Sequence, residues 1–347
     1  MALGWRHQGR VLRDRWKRVQ PLNLERMGNA WASHRGYAHN QRGNHVPQKA
    51  WPLSLSVEPT TSCNLRCPEC PSGLRSFSRP TGMLDPALLE CALNEMGRYL
   101  VYLNLYFQGE PYLHPQLNEL VAMAHARGIY TSTSTNAHFL RPERCEAIVR
   151  SGLSRLIISI DGMTQETYSA YRVGGNLEKV LQGTRNMVEA RRHNRGRGPH
   201  LVWQFLVVGP NEHELSQIKR EARKAGVDEL VIKTAQIDDP HDGHPLLTKA
   251  PELRRYDRTP GGIWNIRNTF EDECWRMWQG CVMTWDGKVV PCCFDKDAHH
   301  TMGIVGERNF EDIWFGEAYA AFRNQIFTQR SSIEMCLNCS EGSHAYA

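Results

Sequence analysis

Leu53-Ser54-Leu55-Ser56-Val57 alternates apolar and polar residues, and Cys63-Asn64-Leu65-Arg66-Cys67-Pro68-Glu69-Cys70 follows it closely. The alternation predicts a half-buried strand. The three cysteines, spaced C-x3-C-x2-C, then sit on one loop at its carboxyl end. Three thiolates on so short a loop can hold three corners of a cubane iron–sulfur cluster. No fourth Cys or His lies nearby, since Cys91 falls in a helical pattern. One iron is then left without a protein ligand and open to a chelating small molecule. The competing reading is a structural zinc loop, but such loops want four ligands, commonly as two C-x2-C pairs.

Working outward, five more strands are expected, over 101–107, 129–134, 155–160, 201–208 and 229–234. Helices are expected between them. The first covers 86–99, with Leu88, Leu89, Ala92, Leu93 and Met96 as its stripe, Asp85 as N-cap and Pro86 at the first position. Others cover 116–126, 142–150, 176–192 and 212–225, with Gly128, Gly152 and Gly226 as stops. Strands alternating with helices imply a parallel sheet with right-handed crossovers. Chemistry is expected at the carboxyl ends of its strands. Six units are too few for a closed eight-fold barrel, so the expectation over residues 51–236 is α/β, an open, partial (β/α)6 TIM-like barrel.

The chain has 347 residues, 41% hydrophobic and 23% charged, which excludes wholesale disorder. No apolar run is long enough to span a membrane. The basic start is not followed by an apolar segment, so no secretory signal is expected and the cytoplasm is the expected location. Residues 1–50 hold ten Lys and Arg against Asp14 and Glu25, more than the whole chain's net +5, so the remainder is acidic. A nucleic-acid partner is therefore not expected of the core. Leu12, Trp16 and Val19 at helical spacing suggest an amphipathic basic helix, and residues 28–50 read as irregular. Such an arm can dock an acidic leader peptide, a nucleic acid or a membrane surface, or pack across the barrel with its arginines in solvent.

There are eleven cysteines, an odd number, so a disulfide framework is a poor reading. Cys91 and Cys145 stand alone in helical patterns and read as buried small hydrophobes. The other nine fall in two clusters. After a Pro-, Gly- and His-rich linker or cover loop (237–270) comes a Trp- and Cys-rich piece, 271–347, too small for a large core of its own. Asp286-Gly287 between apolar strands signals a hairpin that places Cys274 and Cys292 at its two ends. Cys336 and Cys339 add a C-x2-C pair. Four cysteines from three segments make a fully ligated site, with Cys281 and Cys293 as alternative ligands and a zinc ribbon as the alternative site.

These motifs resemble the radical S-adenosylmethionine (radical SAM) superfamily, whose common signature form is matched by Cys63–Cys70. Gly109-Glu110-Pro111 after the second strand resembles the segment that binds the methionine amino group, with Gln108 in place of its first Gly. Ser134-Thr135-Asn136 resembles the segment near the ribose and carboxylate, with Ala137 where the family has Gly. Ser159, Asp161 and Arg172 resemble the segment that engages the methionine carboxylate, which a guanidinium fork suits. Gln204 and Asn211 are further candidates for the adenosine end. The cysteines after residue 271 are similar to a SPASM/twitch extension, and the shorter form, with one auxiliary [4Fe–4S] cluster on Cys274, Cys292, Cys336 and Cys339, fits the count.

The resemblance implies a SAM-binding [4Fe–4S] cluster, reductive cleavage of SAM to a 5′-deoxyadenosyl radical, and hydrogen abstraction from a peptide or small-molecule substrate. It also implies a one-electron reductant such as flavodoxin or ferredoxin. A fully ligated second cluster suggests net oxidation or cross-linking, with Asp295 as a candidate proton acceptor. The rival readings are a zinc-binding, nucleic-acid-associated module and a non-catalytic iron–sulfur electron carrier.

Overall fold

The computed structural model describes residues 5–44, 46–267 and 271–339. A two-residue strand β1 (Trp5–Arg6) opens the chain, and helices α1 (Gln8–Val19) and α2 (Leu24–Gln41) follow. Then come six parallel strands: β2 (Ser54–Val57), β3 (Tyr102–Asn104), β4 (Tyr130–Thr135), β5 (Arg155–Ser159), β6 (His200–Val207) and β7 (Glu229–Thr234). They pair in sequence order from β2 to β7. Helices Pro86–Met96, Leu117–Ala126, Pro142–Arg150, Leu177–His193 and Leu215–Ala225 join them, making the partial (β/α)6 TIM-like barrel expected from the sequence. Leu55, Leu103, Leu156, Ile158, Trp203 and Phe205 from the strands and Leu89, Leu120, Ile148, Val180 and Ile218 from the helices fill its core.

Beyond the barrel, β8 (Tyr256–Arg258) and β9 (Trp264–Ile266) form a short ribbon. β10 (Gly280–Met283), β11 (Lys288–Val290) and β12 (Gly303–Ile304) follow, the first two joined by the predicted turn, in which Gly287 has φ +82°. The C-terminal piece is not a satellite. β10 pairs in parallel with β2, Gly280 opposite Ser54 through Met283 opposite Val57, and so extends the barrel sheet. A Cβ on Gly280 would lie 2.2 Å from the Ser54 carbonyl oxygen, so only glycine lets the two backbones approach. Trp278, Phe310, Trp314 and Tyr319 then continue the same apolar core.

The N-terminal helices depart most from the sequence reading. Residues 24–41, most of which read as irregular, are one long helix whose buried stripe is mainly polar, Arg26, Asn29, Ser33 and Asn40, with Tyr37 in the apolar core. All five guanidinium N–H groups of Arg26 donate to carbonyls, of Pro21, Gly97, Arg98, Arg127 and Gly128, at 2.8–3.1 Å. Most of these carbonyls end two barrel helices, where a cation also complements the helix dipole. On α1 the predicted apolar stripe of Leu12, Trp16 and Val19 faces solvent, and the buried residue is Asp14. Asp14 accepts from Tyr130, Arg18 and Arg155 at the amino ends of the strands. Cys145 is buried as expected, whereas Cys91 is exposed, on the solvent side of its helix.

Among the described residues no helix is long and apolar enough to cross a membrane.

Candidate active site and auxiliary metal centre

Glu58 continues β2 and is fully buried, gripped by Arg79 at 2.6 and 2.8 Å. Arg79 Nε also donates to the Lys296 carbonyl, and the Asp297 carboxylate accepts from the Ser78 and Arg79 backbone N–H groups. The chain flanking the first cysteine loop is thereby clamped to the loop that follows Cys292 and Cys293.

Cys63, Cys67 and Cys70 line one cavity of about 430 Å3. Burial pushes the Cys63 thiol up to about 11 and raises that of Cys67. Ligation to iron is what holds such groups as thiolates. The Leu65 N–H reaches the Cys63 sulfur at 3.4 Å, and Arg172 Nη1 reaches the Cys67 sulfur at 3.8 Å. Donors to sulfur of this kind tune a cluster's potential.

The Gly109-Glu110-Pro111 turn lies backbone to backbone on this loop. Glu110 N–H donates to Ser62 O and Gly109 N–H to Ser72 Oγ, both at 2.8 Å. Gly109 has φ +72°, and a Cβ there would lie 2.2 Å from the Thr60 carbonyl oxygen. The turn aims Glu110 at the end of β4. Its carboxylate accepts from Thr135 Oγ1 and Asn136 N–H at 2.7 Å and from Tyr112 N–H at 3.1 Å. Burial nevertheless raises its pKa, because desolvation of the anion outweighs those bonds. Asn136 Nδ2 returns a bond to Asn64 Oδ1 at 2.8 Å. Ala137 has φ +65°, the left-handed conformation that suits the family's glycine at this place.

Arg172 lies just past the helix Gln165–Tyr171, a helix the sequence reading missed although Thr164 and Thr167 form a capping box. Its guanidinium pairs with Asp161. Burial opposes its charge, and the Asp161 carboxylate overcomes that and keeps the group protonated. The cavity thus presents a buried carboxylate and a partly buried guanidinium together.

Of the residues singled out from the sequence, Gly109, Glu110, Ser134, Asn136, Ser159, Arg172 and Gln204 line the cavity beside the three cysteines. Pro111 stands behind Glu110, opening the turn Pro111–Leu113. Asp161 stands behind Arg172, its other oxygen taken by Leu206 N–H at 2.7 Å. Asn211 is spent on the Val208, Leu206 and Asp161 backbones. Asp295, the candidate proton acceptor, does not line the cavity. Its carboxylate accepts from His299 and His300 N–H at 2.8 and 2.9 Å and shapes its own turn. The next residue, Lys296, lines the cavity instead, together with Tyr106, Gln108, Tyr171 and Gln236, none of which the sequence reading singled out. Tyr106 and Gln108 flank a recognised motif and were findable; Lys296 arrives from a loop distant in sequence.

Cys274, Cys292, Cys336 and Cys339 line a second, small pocket with Met277, Phe294, Ile326 and Met335. Of the two alternatives, Cys281 lies buried against Tyr319 and Cys293 is exposed; neither lines this pocket. Arg330, also buried, lines it. Burial disfavours its charge, but Cys274, Cys339 and Cys336 together raise its pKa, the response of a cation placed among sulfur anions. This donor set fits an anionic thiolate cluster. Among the described residues no three His, Cys, Asp or Glu converge closely enough to share a single metal ion. Thiols bound to different irons of one cubane need not stand so close.

The expected cover loop joins the two sites. Ile237, Leu246 and Tyr256 pack with Leu65 and Cys67, and Asn338, inside the second C-x2-C pair, bonds Tyr256 Oη and Ile237 O at 2.7 Å.

The sequence profile of the radical SAM superfamily matches residues 57–228, and that of an iron–sulfur cluster-binding domain, SPASM, matches residues 274–340. A tungsten-containing aldehyde ferredoxin oxidoreductase cofactor-modifying protein of Pyrococcus furiosus is 25% identical over 318 residues, 82% of this chain and 86% of that protein. The PqqA peptide cyclase of Gluconobacter oxydans is 31% identical over 187 residues, 53% of this chain and 50% of that protein. SuiB of Streptococcus suis, solved with S-adenosylmethionine bound, shares the fold with a TM-score of 0.60 at 14% identity, over 90% of this chain and 75% of that one. The chain therefore belongs to the radical SAM superfamily of enzymes, with a [4Fe–4S] cluster and S-adenosylmethionine bound by its core and auxiliary iron–sulfur bound by a SPASM domain.

Proposed function

We propose that this enzyme oxidises or cross-links a peptide or small-molecule substrate in the cytoplasm, drawing electrons from a flavodoxin- or ferredoxin-type reductant. Cys63, Cys67 and Cys70 hold the SAM-binding cluster, and Cys274, Cys292, Cys336 and Cys339 hold one auxiliary cluster. The cluster that Cys63, Cys67 and Cys70 would hold would supply the electron for reductive cleavage of bound SAM and so the radical chemistry that abstracts hydrogen from the substrate.

One observation carries the reading. A single cavity has three thiols on its wall and, beside them, the buried Glu110 carboxylate and the partly buried Arg172 guanidinium. That charge pair complements the ammonium and carboxylate of an amino-acid end. Glu110 takes the ammonium, which relieves the desolvation that raises its pKa. Arg172 takes the carboxylate, already oriented by Asp161, so little freedom is lost on binding. The packed segment 237–256 keeps water from the cysteine loop. Tyr106, Gln108, Gln236 and Lys296 remain to meet the substrate. The loop carrying Cys292 reaches the cavity at Lys296, which suits an auxiliary cluster that accepts an electron from the substrate. The likeness to a peptide cyclase favours a peptide.

Anaerobic reconstitution tests this. The wild-type chain should hold about eight irons, two cubanes, and form 5′-deoxyadenosine from SAM with dithionite. Replacing Cys63, Cys67 and Cys70 by Ala should abolish that product. Replacing Cys336 and Cys339 should leave about four irons and retain SAM cleavage. Cleavage that survives the first set of replacements refutes the reading.

A further inference from the structure

Helix α1 is built inside out. Its inner face carries Asp14 and its outer face carries Leu12 and Trp16, exposed to 63% and 65%, and Val19. The outer face of α2 carries Leu24, Met27 and Trp31, with Arg35 stacked over Trp31 at 5.2 Å. Among the described residues twelve large apolar side chains are exposed, and seven of them lie between Leu12 and Trp31. A soluble surface rarely gathers its apolar residues this way without a partner.

The charge around this stripe is basic. At 100° per residue, Arg13 and Arg15 flank the Leu12-Trp16-Val19 face on its two sides. On the Arg13 side the surface runs into a groove also lined by Lys17, Arg192, Arg195 and Arg197. The groove's two acids, Asp14 and Asp228, are already paired with Arg18, Arg155, Arg10 and Arg191. No ion pair is formed by Arg13, Arg195 or Arg197 among the described residues. Arg195 and Arg197 stand exposed on a loop that Lys17 Nζ ties to α1 through the Gly198 carbonyl, at 3.0 Å.

We propose that this face docks on an anionic lipid bilayer. An acidic peptide or a nucleic acid would use the cations and leave two tryptophans and the leucines in water. A second copy of the chain would set arginines against arginines. A bilayer surface takes both features, apolar side chains entering the acyl boundary while guanidiniums meet phosphates. The contacts of α1 and α2, to Tyr130, Arg155 and Gly128, lie at the amino ends of the strands, whereas the cavity lies at their carboxyl ends. The docked enzyme keeps its cavity turned away from the membrane.

Co-sedimentation of the cluster-loaded full chain with vesicles tests this. The chain should bind phosphatidylcholine vesicles containing phosphatidylglycerol and not phosphatidylcholine alone, and added salt should weaken binding. Arg195→Ala with Arg197→Ala should lower partitioning about thirty-fold, roughly five-fold per charge. Leu12→Glu with Trp16→Glu should abolish binding without changing iron content or 5′-deoxyadenosine formation, and Trp31→Glu, on the other helix, should also weaken it. Equal binding to neutral vesicles, or binding that survives Leu12→Glu with Trp16→Glu, overturns the proposal. So does binding of poly-glutamate without binding of vesicles, or a dimer that the same glutamates dissolve.

Discussion

Asp161 and Arg172 offer the sharpest test of how the cavity is organised. The Asp161 side chain is 1% exposed and that of Arg172 is 17% exposed. One Asp161 oxygen accepts from Leu206 N–H and the other pairs with Arg172 Nε. In Asp161→Asn one of these acceptors becomes an N–H donor, facing another donor. The charge that balances Arg172 disappears as well. Removing one partner of a buried ion pair costs about 3–5 kcal/mol. Arg172 keeps some solvent and the Cys67 sulfur at 3.8 Å, which places the cost near the lower end, about 3 kcal/mol. Loss of the oriented guanidinium removes the charged hydrogen bond we propose to the SAM carboxylate, worth about 1.5–3 kcal/mol, or about ten- to hundred-fold in Kd. Equilibrium dialysis of SAM against the reconstituted variant, with a denaturant titration beside it, reads both quantities. Arg172→Lys, which keeps charge but not the fork, should fail in SAM binding with a smaller loss of stability. If Asp161→Asn binds SAM as wild type does and unfolds at the same denaturant concentration, Asp161 does not position Arg172.

Gly109→Ala combines the left-handed cost of about 1–2 kcal/mol with a 2.2 Å clash on the Thr60 carbonyl oxygen. SAM cleavage should be lost while iron at the second site is retained, as iron analysis reports. Gly280→Ala should part β10 from β2, since the new methyl meets the Ser54 carbonyl oxygen; limited proteolysis should then release the C-terminal piece faster than from wild type. Glu229 lies under the barrel. Burial alone would raise its pKa, but His200 and Arg155 bring it down to about 2. A depressed carboxylate adds stability that is present above its unfolded pKa and is lost as pH falls through the folded one. Between pH 5 and 3 wild type should therefore lose about 2 kcal/mol through this group, discounted for partial solvent screening. Glu229→Gln should flatten that part of the profile in urea titrations and be less stable at pH 7.

The residues that could be read from the sequence and those that could not differ in how far their determinants lie along the chain. The C-x3-C-x2-C loop and the six strands are local: spacing fixes which thiols share a loop, and a two-residue period fixes a half-buried strand. Periodicity reports which face of a helix is apolar, and the usual step is to place that face inside. Under this barrel the step fails, because the amino ends of the strands and the ends of the neighbouring helices present groups that need polar partners. Arg26 answers four such carbonyls and Asp14 answers Tyr130 and Arg155. Both N-terminal helices are therefore held by hydrogen bonds on their polar sides, and their apolar sides are left outward. For α1 the periodicity is right and the direction is not, and most of α2 reads as irregular, since these bonds join residues 71 or more positions apart. The same distance hid Lys296. Asp295 has the residue type for proton transfer, but only the fold decides that its oxygens close a turn while its neighbour enters the cavity. What a side chain can do chemically is written at its own position; whether it is free to do it depends on which distant backbone groups have already claimed it.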